Sequence, residues 1–289
     1  MLNKEGLAEL TEHHFKLMEY YKMVEDSQQR KHIENGTCKC GGCGWIIRHL
    51  HEHTETYSRI TEYAIPCECS GKLLANRRIE QAGIPQEFYS LTLSNFNLDL
   101  YTDGKQKEIA TDALKKASTY VRNYSKMRQD IQNTKGLYIY SSKRGSGKTR
   151  LAASIANNLM KRENLNVVFI TSIDLLSSIK KCYSRESEEN ENDVVNKYCT
   201  VNVLVIDDIG AEKSSQFVNE MFFRILDTRM KNFRTTIFTS NLSRDDEKYE
   251  DRISDRLRRM TVEIKMPEES VRSRLGKEEE KGFFDMLER

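Results

Sequence analysis

The stretch GLYIYSSKRGSGKTRLAASIANNLM, residues 136–160, limits the possible fold of this chain more than any other. GLYIY reads as a short strand and TRLAASIANNLM as a helix, and the turn between them carries Gly145 and Gly147. A strand that enters a helix through a glycine-rich turn aims the helix's first N–H groups into that turn, where they attract an anion. An almost wholly apolar strand must be covered on both faces. That condition is met in a parallel sheet with helices on each side.

The same alternation continues to residue 240. NVVFIT, VNVLVID and TTIFTS read as strands, with helices expected over 148–161, 174–183 and 215–232. The predicted fold is therefore α/β with a parallel sheet. A long helix is expected over 105–132, preceded by the irregular apolar segment EFYSLTLSNF. The acidic stretch SRESEENENDV reads as a solvated loop. Ahead of this domain, residues 5–34 carry apolar side chains at spacings of three and four and predict a helix. A short helix over about 72–83 ends at AGIP, so the domain boundary is set between 85 and 86. With 38% hydrophobic and 31% charged residues, the chain has a globular composition. It shows no apolar run long enough to span a membrane and no apolar core of a signal peptide near its start, which predicts a cytoplasmic protein without membrane contact.

The turn fits the phosphate-loop pattern G-x-x-x-x-G-K-[ST] with one departure: Ser142 stands at the opening glycine. Ser146, Lys148, Thr149 and Arg150 complete the loop with the two glycines. Lys148 has the reach for β- and γ-phosphates, and the Thr149 hydroxyl suits Mg²⁺. Asp207 ends an apolar strand, where an unpaired carboxylate is costly and a metal ion offsets the cost. Asp208 follows, placed to polarise an attacking water. Asn241 ends the next strand, either to orient that water or to form an ordinary turn. Arg252, Arg256 and Arg259 share roughly one helix face, to be offered to a neighbouring subunit's nucleotide or to solvent. Arg272 lies where a lid helix would contact the γ-phosphate.

Cysteine is clustered: Cys38, Cys40, Cys43, Cys67 and Cys69 fall in one short span, while Cys182 and Cys199 stand alone. Cys40-x-x-Cys43 and Cys67-x-Cys69 suit a tetrahedral Zn²⁺ site, with Cys38 or one of His49, His51 and His53 as substitute ligands. Residues 1–86 hold 11 Lys and Arg against 12 Asp and Glu. This module is thus expected to recognise protein rather than phosphate backbone.

GLYIYSSKRGSGKTRLAASIAN, VLVIDDIGAE, Asn241, DRISDRL and Arg272, in that order, resemble the AAA+ helicase loaders of the DnaC/DnaI type. The likeness is strongest to the DnaC-like replication proteins of phages and prophages of Gram-positive bacteria, and it spans roughly residues 36–275. In that family the motifs correspond to Walker A, Walker B, sensor 1, the arginine-finger box and sensor 2. Arg256 is the closer fit to the finger and Arg252 is a second arginine of the motif. The resemblance implies an AAA+ P-loop ATPase domain over 86–289, behind a small zinc-binding, helicase-contacting domain over 1–85. It also implies ATP and Mg²⁺ as cofactors, self-association into a ring or spiral, and delivery of a hexameric replicative DNA helicase onto single-stranded DNA. Asp208 replaces the glutamate common in AAA+ motors, which implies slow hydrolysis suited to a switch. Lys180, Lys181, Tyr183 and Arg185 in DLLSSIKKCYSR are the expected DNA contacts. An IstB-type transposition helper shares the ATPase signature, and a zinc-dependent helicase adaptor with a vestigial ATPase is the alternative from another class.

Overall fold

The structure, a computed structural model, describes residues 44–53, 58–67, 70–130, 134–183 and 190–287. The helix expected over 5–34, Cys38, Cys40, Cys43, Cys69 and Arg185 lie outside the described residues. The chain divides into two compact units, Met1–Arg77 and Arg78–Arg289.

In the first unit, β1 (Trp45–His53) and β2 (Ser58–Pro66) form an antiparallel hairpin in register from Trp45↔Pro66 to His53↔Ser58. Its open end is closed by the Cys67 N–H donating to the Gly44 carbonyl at 2.8 Å. Helix α1 (Ser70–Gln81) follows, and its last residues belong to the second unit.

The second unit starts before residue 86. Ile79, Ala82 and Ile84 are buried in its core, and the Phe169 N–H donates to the Ala82 carbonyl at 2.6 Å. This segment is therefore bonded to the sheet of the second unit at Phe169. Residues 86–100 make three short 3₁₀ turns. The fully buried Asn157 side chain fixes the first of them by donating to the carbonyls of Phe88 and Leu91, both at 2.8 Å.

Five parallel strands form the sheet: β3 (Gly136–Tyr140), β4 (Val167–Thr171), β5 (Val203–Asp207), β6 (Thr235–Ser240) and β7 (Thr261–Lys265), in the order β4-β5-β6-β3-β7. Alternate residues of one strand serve two cores. Leu137, Ile139, Val203, Val205, Ile237 and Ile264 face one cluster, and Tyr138, Leu204, Ile206 and Phe238 face the other. That division explains why the strands read as continuously apolar.

Helix α2 (Gly104–Arg122) is capped by the Asp103 side chain, which accepts from the Gln106 N–H. The single long helix expected here breaks at Asn123, and α3 (Tyr124–Gln129) follows. Tyr124 is held by its buried hydroxyl, 2.9 Å from Thr235 Oγ1. The remaining helices are α4 (Lys148–Glu163), α5 (Ser172–Lys181), α6 (Glu191–Thr200), α7 (Gln216–Lys231), α8 (Asp251–Met260) and α9 (Val271–Leu287). Helix α6 occupies part of the stretch read as a solvated loop. Asn190 caps it, and Val194, Val195, Tyr198 and Cys199 are buried. Strand β7 was not evident in the sequence because it is an edge strand with only Thr261 and Ile264 buried. Among the described residues no helix is long and apolar enough to cross a membrane.

Candidate nucleotide-binding site

The site lies at the carboxyl ends of β3, β5 and β6, the edge where open α/β sheets collect their functional loops. The β3–α4 loop turns through Gly145 at φ 74° and Gly147 at φ 95°. Gly147 is needed for space as well as conformation, since a Cβ there would lie 2.7 Å from the Tyr101 hydroxyl. Ser142 is not among the residues with positive φ. Serine at the opening position therefore carries no left-handed strain.

Lys148 is buried and its ammonium holds the loop closed. Nζ donates to the carbonyls of Ser141 at 3.2 Å and Lys143 at 2.9 Å, and to Asn241 Oδ1 at 2.8 Å; Ser146 Oγ is 3.4 Å away. Burial lowers its pKa, and the nearby carboxylates of Asp208, Glu268 and Asp207 oppose that shift. Thr149 Oγ1 donates to Asp207 Oδ2 at 3.2 Å, and Thr239 Oγ1 donates to Asp207 Oδ1 at 2.6 Å. Burial raises the Asp207 pKa against these two bonds.

Asp208 adopts φ 55°, a left-handed conformation that aspartate tolerates far better than glutamate. The backbone thus gives a reason for the shorter acid at this position. Its N–H donates to Thr239 Oγ1 at 2.8 Å, and Asn241 Nδ2 donates to its Oδ1 at 2.9 Å. Asn241 therefore bridges Lys148 and Asp208.

A cavity of about 380 Å³ opens beside the loop, lined by Gly145 to Arg150, by Phe96 and Tyr101 from the segment ahead of α2, and by Arg272 and Leu275 from α9. Tyr101 donates to the Ser146 carbonyl at 2.9 Å and braces the loop from the side. Neither Phe96 nor Tyr101 stood out in the sequence. Their only signal was an aromatic-rich run with no helix or strand period.

The structure thus brings Lys148, Thr149, Asp207, Asp208, Asn241 and Arg272 to one place. Arg252 and Arg256 are engaged on α8 instead. Both guanidinium groups stack on Phe223, 4.8 and 4.5 Å from its centroid. Arg256 also pairs with Asp227 at 3.1 Å, and Arg252 with Glu250 at 2.7 Å. Arg259 lies 3.8 Å from Asp255. Of the four cysteines expected to bind zinc, only Cys67 is described, and it is buried. Among the described residues no group of three or more His, Cys, Asp or Glu is arranged to hold a metal.

Asp207 provides a test of this electrostatic picture. A buried carboxylate whose folded-state pKa lies above its unfolded value costs stability once both states are ionised. Asp207→Asn is therefore expected to raise the melting temperature of the nucleotide-free protein by a few degrees, and to lack the further rise expected of the wild type with Mg²⁺ and ATP. Thermal melts with and without Mg²⁺–ATP read both effects. A lower melting temperature in the nucleotide-free variant would show that the carboxylate stabilises the fold.

A parallel sheet with a phosphate loop at the end of β3 and an acidic pair at the end of β5 defines an ATPase-type domain of the AAA+ class. The chain belongs to the family of the bacterial DnaA ATPase domain, whose sequence profile matches residues 94–264. Among individual proteins it is 28% identical over 235 residues to the uncharacterized protein YqaM of Bacillus subtilis strain 168, covering 78% of this chain and 69% of that one. It is 29% identical over 184 residues to the replicative helicase loader DnaC of Escherichia coli strain K12, covering 63% and 69%. The crystal structure of DnaI superposes with a TM-score of 0.51 at 28% identity, covering 63% of this chain and 94% of that one.

Proposed function

We propose that this protein is an ATP-dependent loader of a replicative DNA helicase. One observation carries the reading: Lys148, Asn241 and Asp208 form a single hydrogen-bonded line across the loop, in a chain similar to a replicative helicase loader. The test is capture of the replicative helicase on the immobilised full chain, with and without ATP. ATP-sensitive capture supports the loader. Capture indifferent to ATP supports the adaptor, and no capture removes both readings.

In this reading Lys148 and the loop N–H groups hold the polyphosphate. Thr149 and Asp207 offer neighbouring hard oxygens of the kind Mg²⁺ binds, and Mg²⁺ there would neutralise charge on the phosphates. Asp208 accepts the proton of the attacking water, with Asn241 fixing the orientation of the carboxylate. Asp208→Asn is expected to keep ATP affinity within about threefold and to lower hydrolysis by at least about 100-fold, as loss of a general base does. Equilibrium binding and phosphate release measure the two effects separately. Residual hydrolysis near the wild-type rate would remove Asp208 from the role of base.

Self-association into a ring or spiral would present Arg256, with Arg252 beside it, to the nucleotide of the next copy. The α8 face suits this, because Phe223 and Asp227 already orient the Arg256 guanidinium. For single-stranded DNA, α5 and the residue pair after it offer Lys180 above the Phe217 ring at 5.3 Å and an exposed Tyr183 packed edge-on against the same ring. Glu191 accepts from the Tyr183 hydroxyl, so any base would meet the ring face and not the hydroxyl.

Zinc in the amino-terminal unit is supported by the hairpin register. The 23 residues between Cys43 and Cys67 are largely the hairpin, whose closing hydrogen bond joins Gly44, the residue after Cys43, to Cys67, the first cysteine of the second pair. Protein purified without chelator is expected to contain about one zinc per chain, and metal analysis that finds none would remove the site.

A further inference from the structure

The serine that breaks the phosphate-loop pattern has a partner. Ser142 donates to the Glu268 carboxylate twice, from its N–H at 3.1 Å and from its hydroxyl, and the Lys143 N–H adds a third bond at 3.0 Å. Glycine at this position lacks the hydroxyl donor. Burial raises the Glu268 pKa, but these hydrogen bonds outweigh it and bring the carboxyl below its ordinary range. The group is therefore an anion at neutral pH, fixed at the mouth of the loop.

Glu268 belongs to the linker between β7 and α9, and that linker follows the loop along its length. The Met266 N–H donates to the Tyr140 carbonyl at 2.6 Å, and Ser141 Oγ donates to the Pro267 carbonyl at 2.8 Å. The Arg272 N–H donates to the Gly145 carbonyl at 3.3 Å. A Cβ at Gly145 would lie 2.9 Å from that of Arg272. On its other side the linker is held by Gln106, whose Oε1 accepts from the Glu268 N–H at 2.7 Å, and by Thr102, whose N–H and hydroxyl donate to Glu269. Arg272 itself lines the cavity and makes no side-chain ion pair among the described residues. The backbone at Arg272 is thus fixed against the loop while its charge has no ion-pair partner among the described residues, four residues beyond a carboxylate that binds the loop's opening turn.

We propose that Glu268 is a positioning residue: with Ser142 it clamps the phosphate loop to the α9 linker and so sets Arg272 for the terminal phosphate of the nucleotide. The clamp rests on the ATP-binding reading above. It explains the serine as the source of a hydroxyl donor to Glu268 that a glycine loop would lack. It also predicts that the carboxylate acts on discrimination between ATP and ADP, because only the triphosphate carries the group Arg272 is set to meet.

The test is equilibrium binding of ATP and ADP to the full chain, for wild type, Glu268→Gln, Glu268→Ala, Ser142→Ala, Arg272→Ala and the double variant Glu268→Ala/Arg272→Ala. Glu268→Ala is expected to weaken ATP binding about tenfold and ADP binding less than about twofold. Ser142→Ala, which keeps both N–H donors, and Glu268→Gln, which keeps one acceptor without the charge, should lose part of the ATP preference. Arg272→Ala should lose all of it, and the double variant should lose no more, because both changes remove one interaction. Equal weakening of ATP and ADP, or losses that add in the double variant, would overturn the clamp and leave Glu268 a purely structural residue. Wild type that binds neither nucleotide would overturn the ATPase reading itself, a result separate from either of these.

Discussion

Lys148→Ala is expected to raise the dissociation constant for ATP by at least about 100-fold. Hydrogen bonds to a charged group contribute about 1.5–3 kcal/mol each, about 1.4 kcal/mol is a factor of ten in affinity, and the ammonium serves more than one phosphate oxygen. A second effect adds to the first. In the nucleotide-free protein Nζ ties together the carbonyls of Ser141 and Lys143 and the amide of Asn241, so its removal also frees the loop and increases the ordering cost of binding. Titration with a fluorescent ATP analogue measures the change. Affinity within a few-fold of wild type would mean that the loop is not the phosphate site.

The largest expected effect on stability lies elsewhere, at Arg229. This side chain is fully buried, and among the described residues no carboxylate pairs with it. Its guanidinium donates instead to the carbonyls of Tyr198 at 2.6 Å, Val201 at 3.0 Å and Thr235 at 2.5 Å, and to Thr236 Oγ1 at 2.9 Å. Tyr198 is in the last turn of α6, where orphan carbonyls carry the negative end of the helix dipole. Arg229 therefore caps α6 from α7 and joins both to the start of β6. Arg229→Ala leaves several buried acceptors unsatisfied and a cavity behind them, a loss on the order of 4 kcal/mol. The melting temperature should fall by about 10 °C. Arg229→Lys keeps the charge but not the planar fork, so it should recover less than half of that loss. A melting temperature unchanged in Arg229→Ala would mean that water satisfies those carbonyls.

Local chemistry made the phosphate loop and the acidic pair legible in the sequence. Gly145, Gly147 and Lys148 specify a turn and a charge within a few residues, and a strand buried on both faces leaves a continuous apolar run that needs no partner to be recognised. Features that depend on a distant partner were not legible. Strand β7 exists because β3 supplies its hydrogen bonds, and α6 forms because Arg229 and the α7 surface give its mixed sequence a buried face. The chain breaks at Asn123 and resumes as α3, where the Tyr124 hydroxyl meets Thr235, more than 100 residues on. Ser142 read as a flaw in a pattern because its partner, Glu268, lies beyond four more strands and five more helices.

Asp208 illustrates the same limit. The sequence shows an aspartate where a motor has glutamate and implies slow turnover from the shorter reach. The structure adds a left-handed backbone at that residue, which aspartate accepts and glutamate resists. The choice of acid is therefore tied to the turn after β5 as well as to the chemistry.

The most direct test of the central claim is the amount of replicative helicase retained on a single-stranded DNA circle when the full chain, ATP and Mg²⁺ are all present. Strong retention is expected with wild type, and retention at the level of helicase alone with Lys148→Ala. Lys180→Ala combined with Lys181→Ala should give weaker retention with a shallower salt dependence, since fewer phosphates are then neutralised. Retention with wild type no greater than with helicase alone, under conditions where ATP binding has been confirmed, would contradict that claim.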